Sequence, residues 1–136
     1  MRALALDRDN PLISFSVGLG YIHYALKRQC SNRQYLITQG LSFIFRYFHV
    51  GVNSNNQEER RTAYFDVART FHLLGLQDVA DRYYHQVRAM GSASGLDNAS
   101  TTSDLTLYTA FNQWCSLVAT GNLVASRKLM YESLRL

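Results

Sequence analysis

The chain has almost no residues that break helices: it contains one proline and eight glycines in 136 residues. Apolar residues recur at helical spacing between these breaks, which predicts amphipathic helices and not the many short strands of a β-sandwich. Apolar residues make up 47% of the sequence and charged residues 18%, a balance that excludes an intrinsically disordered chain. At this length we predict one domain over residues 1–136.

The helix ends are predicted by capping residues and glycines. Asn10 and Pro11 predict the start of a helix, because asparagine caps the first turn and proline fits within it. Gly51 predicts the end of the following helix, in the left-handed conformation. Five apolar residues form one apolar stripe on the first predicted helix: Leu12, Phe15, Leu19, Ile22 and Leu26.

Residues 62–90 resemble a tetratricopeptide repeat (TPR), a helical hairpin in which small residues allow the two helices to approach closely. The matching positions are Tyr64, Val67, Ala68, Phe71, Gly75, Ala80, Tyr84 and Val87. Less complete matches occur in the flanking hairpins, at Val17, Gly18, Tyr21, Gly40 and Gly121. The pattern predicts an all-α, TPR-like, right-handed solenoid of about three helical hairpins.

We predict five parts within this single TPR-like domain. In chain order they are the end of a preceding repeat (1–11), a long hairpin (11–50), a TPR (57–90), a mobile loop (91–102) and a TPR-like hairpin (103–136). A chain that begins inside a hairpin exposes an apolar edge. The sequence therefore predicts self-association through residues 1–26.

The sequence contains no pattern typical of a catalytic or metal site. No two of its four histidines have the i, i+4 spacing of a helical zinc site, and Cys30 and Cys115 have no metal-ligand spacing. No apolar segment approaches the roughly 20 residues that span a bilayer. We therefore predict an intracellular protein that is not an enzyme, has no cofactor and does not contact a membrane.

Three basic residues, Lys27, Arg28 and Arg33, cluster around one predicted turn. Such a cluster is usually a solvated surface, and proteins dedicated to nucleic-acid binding have a denser basic stripe. A direct contact with phosphate nevertheless remains an alternative for this patch.

Several segments resemble the C-terminal TPR array of the scaffold subunit of TFIIIC, the general transcription factor of RNA polymerase III. They are residues 10–23, 32–34, 39–43, 68–76 and 120–122, so that the resemblance covers nearly the whole chain. It departs from the TPR pattern at Trp114, where the motif has a small residue. It transfers no individual functional residue, because the binding surface in that family is a groove.

The resemblance implies a nuclear scaffold for protein–protein interaction. Its expected partners are other TFIIIC subunits and the initiation factor TFIIIB, which it would help to recruit to tRNA-type promoters. Contact with DNA would then be indirect, through the complex. Two alternatives remain open: a TPR adaptor of another intracellular complex, and a helical-repeat module that contacts nucleic acid directly.

Overall fold

The computed structural model describes residues 10–27, 31–93 and 99–134. Six helices lie in these ranges: α1 (Pro11–Lys27), α2 (Arg33–Val52), α3 (Gln57–Leu73), α4 (Gln77–Ala93), α5 (Ala99–Ala119) and α6 (Leu123–Leu134). The described ranges contain no strand, which confirms the predicted all-α class. None of these helices is both long and apolar enough to cross a membrane. Of residues 1–11, which are predicted to end a preceding repeat, residues 1–9 lie outside the described residues.

The chain divides into two compact units, Met1–Ala63 and Tyr64–Leu136. The boundary falls inside α3. The first unit contains α1, α2 and the first part of α3, and the second contains the remainder of α3 with α4, α5 and α6. The single TPR-like domain and its solenoid arrangement remain predictions.

In the first unit, α1 and α2 cross where two glycines face each other. A Cβ added to Gly18 would lie 2.7 Å from the carbonyl oxygen of Gly40, and one added to Gly40 would lie 2.9 Å from that of Gly18. Beside the crossing, Ile22 is fully buried. The ring centroids of Phe15 and Tyr47 are 4.7 Å apart. Glycine therefore allows backbone contact at a point where any side chain would separate the helices.

The buried face of α1 differs from the predicted apolar stripe. Its buried residues are Ser14, Gly18, Ile22 and Ala25. Leu12, by contrast, is 65% exposed. Because the small residues bring α2 close, the larger apolar side chains of the predicted stripe lie toward the margins of the contact. Ile22 is the one residue that belongs both to the apolar stripe and to the buried residues of α1.

The capping prediction holds at the start of α1 and fails at Gly51. The Asn10 carboxamide oxygen accepts a hydrogen bond from the Leu12 N–H at 3.0 Å, as a helix cap does. Gly51 lies inside α2 and not in a left-handed turn. A Cβ at Gly51 would lie 2.6 Å from the Cβ of Ala63 on α3. Close packing between helices, not a turn, therefore explains this glycine.

In the second unit, the α3–α4 and α5–α6 turns have the same backbone geometry. Gly75 has φ of 80° and Gly121 has φ of 79°. In each turn the glycine N–H donates to the carbonyl three residues earlier, and the next N–H donates to the carbonyl five residues earlier. This is the Schellman motif, which favours glycine at the left-handed position. Gly75 and Gly121 are 46 residues apart. Each residue of the α3–α4 hairpin therefore has its counterpart 46 positions later, in the α5–α6 hairpin.

The loop predicted over residues 91–102 is helical at both ends. Helix α4 continues to Ala93, and α5 begins at Ala99. Alanine and serine are compatible with a helix, and the single Gly91 costs only about 1 kcal/mol relative to alanine. Residues 94–98 lie outside the described residues, so the predicted mobility of this segment is not tested.

Candidate protein-binding groove

The second unit is organised around Tyr84, which is fully buried on α4. Its hydroxyl oxygen lies 3.2 Å from Nδ1 of His72 on α3. The side chain of Asn112 on α5 also hydrogen-bonds to this hydroxyl. Burial raises the pKa of Tyr84 to about 12 and lowers the pKa of His72 below its ordinary value. At neutral pH, the Tyr84 phenol is therefore protonated and the His72 imidazole is neutral. The contacts of this phenol with His72 and Asn112 join α3, α4 and α5.

The predicted TPR positions of α3 and α4 lie together in this core. Those that are buried are Val67, Ala68, Phe71, Ala80, Tyr84 and Val87. Tyr64 lies at the margin of the core, with its ring centroid 6.2 Å from that of Tyr83. In the first unit, Tyr21 and Phe43 have parallel rings with centroids 6.0 Å apart, and Val17 is half-buried.

A polar network holds α5 against α4. The Gln113 amide donates to an Asp81 carboxylate oxygen at 2.6 Å, and its own oxygen accepts a hydrogen bond from Arg88 at 3.2 Å. Arg88 also lies 3.8 Å from the carboxylate of Glu132 on α6. The sequence alone does not predict this network. The one sequence feature that indicates it is Gln113. This polar residue is the counterpart of Val67, 46 residues earlier, at a position where the motif has an aliphatic residue.

On the α5–α6 hairpin, an apolar groove of about 290 Å³ lies open to solvent. Its lining residues are Leu107, Ala110, Phe111, Trp114, Leu129, Met130 and Ser133. Phe111 is 61% exposed and Met130 is 39% exposed. The Phe111 and Trp114 ring centroids are 6.2 Å apart, so an aromatic pair forms one wall. We call this surface the α5–α6 groove.

The α5–α6 groove corresponds to a surface that is covered on the preceding hairpin. Met130 lies 46 residues after Tyr84, and Ser133 lies 46 residues after Val87. Tyr84 and Val87 are both fully buried, and a residue of α5 reaches the Tyr84 hydroxyl. Their counterparts Met130 and Ser133 instead line the open groove. The groove therefore has the position and the apolar character of a surface that receives a helix.

The predicted basic patch is only partly within the described residues. Lys27 at the end of α1 and Arg33 at the start of α2 are both exposed, and Arg28 lies outside the described residues. A separate cavity of about 640 Å³ in the first unit carries the carboxylates of Glu58 and Glu59, and no lysine or arginine is among its described lining residues. That cavity is therefore not suited to a phosphate group.

The described part of the chain shows no arrangement for metal chemistry. Among these residues, no group of three or more histidine, cysteine, aspartate or glutamate side chains could hold a metal ion. Cys115 is a half-buried thiol on α5, and Cys30 lies outside the described residues. The α5–α6 groove is thus the strongest candidate for a functional site, and its chemistry suits binding.

No protein-family model matches the chain. It is 33% identical over 129 residues, 90% of its length, to "Transcription factor tau subunit sfc4" of Schizosaccharomyces pombe. It is 33% identical over 79 residues, 58% of its length, to "Transcription factor tau 131 kDa subunit" of Saccharomyces cerevisiae. It is 29% identical over 135 residues, 96% of its length, to "General transcription factor 3C polypeptide 3" of Homo sapiens. The chain spans 13%, 8% and 14% of these relatives, respectively.

Proposed function

Because the chain belongs to the family of these TFIIIC subunits, we propose that it is a protein-interaction scaffold in the TFIIIC complex of RNA polymerase III transcription. In this role it acts in the nucleus, binds other TFIIIC subunits, and supports assembly on tRNA-type promoters and recruitment of TFIIIB. The relatives are named as transcription factor subunits, which supports a role without catalysis. Their similarity over 90% and 96% of the chain supports the assignment for the described hairpins.

The observation that carries this proposal is the similarity to the transcription factor subunits, and the exposed α5–α6 groove offers a surface for the interaction. Phe111 and Met130 expose apolar surface whose counterpart on the preceding hairpin is buried. Aromatic residues and methionine are enriched where proteins bind one another, and an exposed apolar patch marks a binding surface more often than chance. We therefore assign the contact with another TFIIIC subunit to this groove.

The proposal is tested by co-purification of TFIIIC subunits with the tagged protein from its own cells. We expect the double substitution Phe111→Ala and Met130→Ala to lower the recovery of at least one subunit by about tenfold or more, since buried anchors commonly contribute 2 kcal/mol or more to binding. Both side chains are exposed, so the fold should survive their truncation.

The matched control is Tyr35→Ala on α2, because Tyr35 is 62% exposed and lies outside the groove. We expect this variant to recover TFIIIC subunits at the wild-type level. Undiminished recovery by the double variant would contradict the groove assignment. Failure of the wild-type protein to recover any TFIIIC subunit would contradict the scaffold function itself.

A further inference from the structure

We draw no further inference here: the strongest candidate, the open apolar α5–α6 groove, already belongs to the proposed binding site, and nothing in the structure shows the chemistry of the segment that covers it.

Discussion

At the scale of single residues, Tyr84 has contacts that its apolar ring alone would not explain. The ring is fully buried, and the hydroxyl meets His72 on one helix and Asn112 on another. A buried polar group is costly to leave without a partner, so all three side chains depend on one another. Substitutions at Tyr84 can therefore measure separately how much the hydroxyl and the ring contribute to stability.

We expect Tyr84→Phe to lower the free energy of unfolding by about 1–3 kcal/mol, because it leaves His72 and Asn112 without the hydroxyl. Tyr84→Ala should cost about 3–5 kcal/mol, because it also leaves a cavity. Urea denaturation measures both values. Tyr131→Phe is the matched control, since Tyr131 is 61% exposed and should be neutral. Equal stability of the two phenylalanine variants would contradict a structural role for the Tyr84 hydroxyl.

The pKa of His72 predicts how stability depends on pH. Burial lowers this pKa from 6.5, so the unfolded chain binds more protons than the folded chain near that pH. The free energy of unfolding should therefore fall as pH drops through 6.5 toward the lower pKa of the folded state. Between about pH 7.5 and about pH 5.5, the free energy of unfolding should fall less for His72→Gln than for the wild type, as measured by urea denaturation. His85→Gln, at an exposed site on α4, should keep the wild-type dependence. If the free energy of unfolding falls equally in the wild type and in His72→Gln, the burial of His72 does not cause this pH dependence.

At the scale of helices, the crossing of α1 and α2 depends on which glycine faces the partner helix. Gly18 meets the Gly40 backbone, whereas Gly20, two residues further along α1, has no atom within 4 Å of an added Cβ. The same substitution should therefore have opposite effects at two positions of one helix.

We expect Gly18→Ala to destabilise the protein by about 1–3 kcal/mol, because backbone must move to admit the methyl group. Gly20→Ala should stabilise it by about 0.5–1 kcal/mol, because alanine restricts the unfolded chain and favours a helix. Thermal unfolding measures both. If the two variants melt at the same temperature, the glycine contact between the helices is not formed as described.

The sequence was sufficient to predict the helices, but it did not predict which residues Gly51 and Gln113 contact. Asn10, Gly75 and Gly121 act through local hydrogen bonds and backbone angles, so the turns they form could be predicted from neighbouring residues. The role of Gly51 depends on Ala63, and that of Gln113 on α4, and neither contact follows from local sequence. Periodicity identifies an apolar stripe, but the distance to the packed neighbour decides whether small or large residues are buried.

At the scale of the whole molecule, the net charge of +4 favours weak attraction to polyanions. We expect binding to a short DNA duplex at low salt, without sequence preference, that falls steeply as salt rises. Combining Lys27→Glu with Arg33→Glu should reduce the dependence of affinity on salt, and Lys128→Glu outside the cluster should change it less. Titration by anisotropy at several salt concentrations measures this. Tight binding at physiological salt would favour the direct nucleic-acid alternative.

The position of Trp114 allows binding at the α5–α6 groove to be followed by intrinsic tryptophan fluorescence. The sequence contains one tryptophan, and its half-buried indole forms part of the groove wall beside Phe111. Any molecule that displaces water from that wall alters the surroundings of the only indole in the chain, and so its emission wavelength. A ligand confined to Met1–Ala63 contacts no tryptophan. Intrinsic fluorescence can therefore distinguish occupancy of the groove from binding elsewhere without any added dye.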